Sequence, residues 1–201
     1  MIYQRVKITV QYYINLRKRF NSDGPDGFQY YFHDIRKETM SAVRRQMGGG
    51  NVMVWAGIGY FGKTSIKFIN GRMNSVRYIN LIKEQINNHA ERISGPDYIF
   101  QRDNASVHIS RLVQSYFNVN NISILSWPVC FRDFNIIENC RAELVHGVYA
   151  NAKQYQHVQE LRNAIVPEWD TLSLNYIQKL YKLIPNRTIE VIENKEGCTH
   201  Y

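Results

Sequence analysis

The run NVMVWAGIGY at residues 51–60 limits the fold of this chain more than any other stretch. Most of its larger side chains are β-branched or aromatic, which suits extended backbone. Nearly every position is apolar, so it does not alternate as a half-exposed strand would. Such a segment suits a central strand of a sheet. TSIKFING follows the turn at Gly62 and is predicted to pair with it. Upstream, VQYYINLRKRF (10–20) starts strand-like and turns basic, GPDG (24–27) is a strong turn signal, and FQYYFH (28–33) reads as a returning strand. Residues 10–33 are therefore predicted to form a β-hairpin, with RKETMSAVRRQMGGG as a basic loop behind it.

The period then changes. Val76, Ile79, Ile82 and Ile86 recur at helical spacing, Asn74 or Ser75 can cap the helix, and Gly95 with Pro96 ends it. YIFQRD is a further strand, SRLVQSYF a short helix closed by Asn120 and Asn121, and ISILSWP another short strand. From Ile136 onward the pattern is helical, with interruptions predicted near Pro167 and Pro185. Several strands come first and later ones alternate with helices, which predicts an α/β fold: a mixed sheet flanked by helices. At 201 residues and 44% hydrophobic composition, residues 1–201 suit one domain with a sizeable core.

Net charge is +8 and unevenly placed. Residues 1–72 hold 12 Lys and Arg against 4 Asp and Glu, whereas residues 73–201 hold 13 against 13. That excess suits either a polyanionic partner, most simply nucleic acid, or a solvated basic surface. Cys130, Cys140 and Cys198 form no CxxC pair and read as free thiols of a reducing compartment. The longest apolar stretch falls far short of a membrane span, and MIYQRVKITV has no signal-peptide pattern.

Chemistry enters at YIFQRDNASVH (98–108), where a hydrophobic strand ends on Asp103. An Asp there can make a turn or hold a metal. Asp133 and Glu138 flank the start of the helix after the next strand, and 34 residues separate Asp103 from Glu138. In a βαβα unit, parallel neighbours bring their C-terminal ends together, so these acids can meet. Carboxylates so gathered can hold divalent cations, and two cations about 3.5–4 Å apart serve phosphoryl displacement.

The words DGPDGFQYYFHDIRK, VMVWAGIGYFGK, FQRDNASVH, ILSWP, DFNIIEN and IPNRTIEVIENKEGCTHY carry a resemblance. From about Asp23 to Tyr201 the chain resembles transposases of the mariner superfamily, in the branch with 34 residues between its second Asp and its Glu. The resemblance implies a ribonuclease-H-like core, DNA cleavage and strand transfer, Mg²⁺ or Mn²⁺ as cofactor, double-stranded DNA as partner, a possible homodimer, and a nuclear location (or a nucleoid one). It implies that Asp103 and Glu138 are catalytic metal ligands, with Asn104 and His108 beside them. Without it, Asn104 reads as a turn residue, His108 as a helix-start or packing residue, and Asp133 as a helix cap.

The sequence also departs from that pattern. The family's first acid stands in a word like Phe-Ser-Asp-Glu-Lys-Lys-Phe-Asn, and the aligned stretch here is Ile14 to Asn21 (INLRKRFN). Leu16 falls on that Asp and Arg17 on its neighbouring Glu; leucine cannot bind a cation and arginine repels one. FRDFNIIEN carries neither proline of the family's word, and Ser106 stands where a proline is usual. Impaired catalysis is therefore expected, the alternative being a non-catalytic DNA- or transposase-binding module. Only about 20 residues precede the GPDG turn of the hairpin, so the family's helix-turn-helix modules, and with them specific reading of element ends, are not expected. Phosphate-driven DNA contacts would fall to Arg17, Lys18, Arg19, Arg36, Lys37, Arg44 and Arg45.

Overall fold

The computed structural model describes residues 6–15, 51–125, 135–153 and 155–193. Five strands and five α-helices are described, with a short 3₁₀ helix at Ala150–Ala152: β1 (Val6–Asn15), β2 (Asn51–Gly59), β3 (Gly62–Lys63), β4 (Lys67–Ile69), α1 (Ser75–Ser94), β5 (Ile99–Gln101), α2 (Arg111–Val119), α3 (Ile137–Val148), α4 (Val158–Thr171) and α5 (Leu174–Glu193). The sheet runs β3-β2-β1-β5, with β4 also pairing to β2. β1 is antiparallel to β2, from Ile8 opposite Ile58 to Asn15 opposite Asn51. β5 is parallel to β1, with Val6 opposite Ile99 and Ile8 opposite Gln101. The sheet is therefore mixed and flanked by helices, the ribonuclease-H-like α/β architecture expected.

β2 is central, as its unbroken apolar run demands. Its side chains alternate between two cores because successive residues point to opposite faces. Val52, Val54, Ala56 and Ile58 face α3, α4 and α5. Met53 and Trp55 face the layer built from α1, α2 and Phe100. All six are 6% exposed or less, which explains why no polar position interrupts the run. Burying each large side chain contributes about 1.5–3 kcal/mol.

Both ends of α1 follow the sequence. Asn74 Oδ1 accepts from the Arg77 amide at 2.9 Å, and Gly95 ends the helix at φ +82°, a conformation that favours glycine. The buried stripe is Tyr78, Ile79, Ile82, Ile86, Ala90 and Ile93. Val76, predicted to belong to it, is 57% exposed in the first turn. α2 starts on the Ser110 cap and closes at Asn120, with Asn121 left-handed at φ 52°.

Four expectations need correction or fall outside view. The first strand begins at Val6 rather than Val10. Its antiparallel partner among the described residues is β2, while the predicted return strand 28–33 lies outside them. ISILSWP is represented by one parallel bridge, Ile124 to Phe100, with residues from 126 to 134 outside the description. Finally, neither proline breaks its helix: Pro167 lies inside α4 and Pro185 inside α5. Leu161, Ile165 and Trp169 bury both sides of Pro167, so packing outweighs the roughly 3 kcal/mol that an internal proline costs. The breaks come instead around Asn151, left-handed at φ 56°, and at Leu172, whose backbone is extended. No described helix is long and apolar enough to cross a membrane.

Candidate active site

Two parallel neighbours flank β5. β1 lies on one side. On the other, the Phe100 amide donates to Ser123 O at 2.7 Å and the Leu125 amide to Phe100 O at 2.8 Å. The chain therefore leaves β5 at the C-terminal edge of a parallel set, where Arg102, Asp103 and Asn104 follow in order.

Asp103 begins a tight turn. Its Oδ1 accepts from the Ala105 amide at 3.1 Å, so the turn-forming reading of this acid is correct as far as it goes. The same Oδ1 also meets Nδ1 of His108 in a short contact. His108 is buried at 3% exposure, and its ring stacks on Tyr78 of α1 with centroids 4.3 Å apart and planes 29° apart. Burial acts to raise the pKa of Asp103, but the His108 hydrogen bond and charge, the Ala105 amide and the nearby Arg102 outweigh it and hold the carboxyl below its usual range. The carboxylate is thus ionised and can only accept, so Nδ1 of His108 carries the hydrogen. Arg102 is itself buried, its guanidinium 5.8 Å from the centre of the Phe117 ring. Asn104 is exposed.

Glu138 stands in the first turn of α3. Ile136, Ile137 and Cys140 around it are fully buried, which fixes how the turn sits on the sheet. A carboxylate is favourable there because the helix N-terminus is partly positive. Glu138 also accepts from Arg141 Nη1 at 2.9 Å, one turn on. Next to it, Asn139 Oδ1 accepts from Arg187 Nη1 at 3.1 Å, tying the start of α3 to α5. The N-cap position is Ile136, which makes no side-chain cap, and Asp133, expected to cap this helix, lies outside the described residues.

The expected site is therefore described in part. Asp103 and His108 are brought into contact, and Glu138 opens the helix that follows the neighbouring strand. Leu16, Arg17, Lys18, Arg19, Arg36, Lys37, Arg44 and Arg45 lie outside the described residues. β1 as described, VKITVQYYIN, carries no carboxylate. Among the described residues, no group of three or more His, Cys, Asp or Glu side chains converges to hold a metal ion. The sequence reasoning missed Tyr78 and Arg187. Tyr78 could have been found as the first large residue of the buried stripe of α1, and Arg187 as the one basic residue set amid the apolar positions of IPNRTIEVI.

No family model matches the chain. It is 38% identical over 184 residues to the Tc3 transposase of Caenorhabditis elegans, covering 92% of this chain and 56% of that protein. It is 30% identical over 196 residues to the Tcb1 transposase of Caenorhabditis briggsae, covering 91% of this chain and 67% of the relative. The chain thus spans little more than half the length of the first of these. In structure it is similar to the Mos1 mariner paired-end complex with Mg, at a TM-score of 0.77 and 14% identity, over 100% of this chain and 58% of that one. The separate Mos1 catalytic domain matches at 0.69 and 12% identity, over 98% of this chain and 85% of that one. At such identities the likeness shows the fold, and the sequence relatives show the lineage: the chain belongs to the Tc1/mariner family of DDE transposases.

Proposed function

We propose that this chain is a transposase-derived catalytic domain, built for metal-dependent cleavage of double-stranded DNA and strand transfer in the nucleus, and impaired in that chemistry. The observation that carries the reading is Asp103: an ionised carboxylate fixed at the C-terminal edge of parallel strands, with Glu138 opening the helix after the neighbouring strand. Nearly half of each side chain's surface is open, 44% for Asp103 and 39% for Glu138. Both are hard oxygen donors of the kind Mg²⁺ and Mn²⁺ prefer. The donor chemistry therefore fits such a cation, and Asp103 and Glu138 would hold it. A divalent ion bound there supplies Lewis-acid polarisation of a phosphodiester oxygen and a more acidic water.

The number of donors is where the fit falls short. Two carboxylates hold one cation weakly, and two-cation phosphoryl transfer calls for more. Leu16 stands where the resemblance places the first acid, and Arg17 beside it opposes a cation. This favours a second reading, a domain that binds DNA or another transposase copy without cutting. Dimer formation belongs to the first reading, since Mos1 has been solved as a paired-end complex.

Nicking of supercoiled plasmid in Mn²⁺ tests the two. Wild type is expected to be silent, Leu16→Asp to nick, and the double variant Leu16→Asp/Glu138→Ala to be silent again. Nicking by wild type that vanishes in Glu138→Ala would show that two acids suffice. Silence throughout, with duplex DNA still bound, would favour the binding module.

A further inference from the structure

Asp103 does not stand alone at the sheet edge. Among the described residues its two hydrogen bonds, from Ala105 N and His108 Nδ1, fall on one oxygen, Oδ1, and Oδ2 takes neither. The donor ring is fixed from behind. His108 is 3% exposed and stacks on Tyr78, itself 1% exposed and set in the buried stripe of α1. The other ring nitrogen, Nε2, is buried with no hydrogen-bond partner among the described residues, so among them the bond to Asp103 is the one polar contact of this side chain. A buried imidazole that, among the described residues, bonds only a half-open carboxylate is poorly explained by packing, because an apolar ring would fill the space without leaving Nε2 unsatisfied there.

The geometry points to His108, backed by Tyr78, as a positioning residue for Asp103: it anchors Oδ1 to the α1 layer and so leaves Oδ2 as the oxygen that meets a divalent cation. This rests on the reading of Asp103 as a cation ligand. Partners that orient a ligating side chain commonly change metal affinity by about 10–100-fold when removed. Ala105 N alone would leave the carboxylate free to rotate about its own turn, whereas a ring clamped against a neighbouring helix fixes it to the body of the fold.

The experiment uses the full chain with Mn²⁺ as the probe, in wild type, His108→Phe, His108→Asn and Asp103→Asn. Calorimetry reads Mn²⁺ affinity, and nitrogen-15 spectra of the His108 ring read the bond itself. Phenylalanine keeps the stack on Tyr78 and removes the donor; asparagine restores a donor near Nδ1 without the ring. In wild type the hydrogen is expected on Nδ1, with a signal that moves in Asp103→Asn. Mn²⁺ binding is expected to weaken roughly tenfold or more in His108→Phe at little change in melting temperature, and to recover in large part in His108→Asn. His108→Phe binding Mn²⁺ like wild type, while Asp103→Asn does not bind, would overturn the positioning role. Wild-type binding that is absent or indifferent to Asp103→Asn would overturn the cation reading instead. In that case an Nδ1 signal unmoved by Asp103→Asn would remove the positioning role too, and a moved signal would retain it. If His108→Phe does not fold, affinity in His108→Asn decides: near wild type supports the role, and a loss as deep as in Asp103→Asn overturns it.

Discussion

At the scale of the residue, Asp103 ties function to stability. Its pKa is depressed in the folded chain, so its contribution to stability is present above the unfolded value, about 3.9, and is lost as pH falls through the lower folded value. Asp103→Asn should therefore lower the melting temperature at pH 7, and the gap to wild type should narrow towards pH 3. A gap of constant size across that range would show that the substitution acts through packing rather than through the ionised carboxylate. Cys140 gives a contrasting case: burial pushes its thiol up to about 12, so it remains a core side chain and not a nucleophile. The free-thiol expectation holds for it, while Cys130 and Cys198 lie outside the described residues.

At the scale of the element, one lysine clasps the end of α4 to the sheet edge. Lys63, on the short strand β3, donates to the carbonyls of Trp169, Asp170 and Leu172 at the end of α4, the last at 2.7 Å and Asp170 at 3.0 Å. These are carbonyls that a helix leaves without partners, and the positive charge suits the negative end of its dipole. Trp169 Nε1 returns a bond to Thr64 O at 2.8 Å, so β3 and α4 hold each other at both polar ends. Lys63→Met should cost about 2 kcal/mol in urea unfolding, with amide exchange quickening around residues 169–172. A loss below about 0.5 kcal/mol would mark the contact as an ordinary surface ion contact. Nothing in the sequence announces this clasp, since Lys63 and Trp169 lie more than a hundred residues apart. What was legible was local. β2 showed its double burial through an uninterrupted apolar run, and α1 showed its ends through Asn74 and Gly95. The helix breaks were misplaced because proline is a local signal, whereas the burial around Pro167 is decided by contacts across the fold. The candidate site divides in the same way. Asp103 and Glu138 could be read from their words, and Tyr78 as a core residue of α1, but its stack on His108 could not, because it joins a helix to a turn 30 residues on.

At the scale of the whole molecule, charge separates what binds from what folds. Residues 73–201, which supply all five described α-helices, are electrically balanced at 13 basic and 13 acidic side chains, and the whole excess of +8 belongs to residues 1–72. Counterion release makes each neutralised phosphate visible in the salt dependence of binding, with a slope near −0.9 per phosphate on duplex DNA. If about four of the candidate cations touch phosphate, log affinity for duplex DNA of arbitrary sequence should fall against log salt with a slope near −3.6. Replacing Arg17, Lys18 and Arg19 by Gln should flatten that slope by about 0.9 for each phosphate no longer neutralised, and should weaken all sequences alike because phosphates carry no sequence. Replacing Arg92, Arg141 and Lys153 in the balanced part by Gln removes the same charge and should leave the slope almost unchanged. Fluorescence anisotropy between 50 and 200 mM salt, roughly the range over which phosphate binding goes from strong to weak, separates the cases. Equal flattening by both sets would mean that DNA responds to total charge rather than to the basic first third. A slope near zero in wild type would remove duplex DNA as the partner of that charge and with it the support that charge gives to either functional reading.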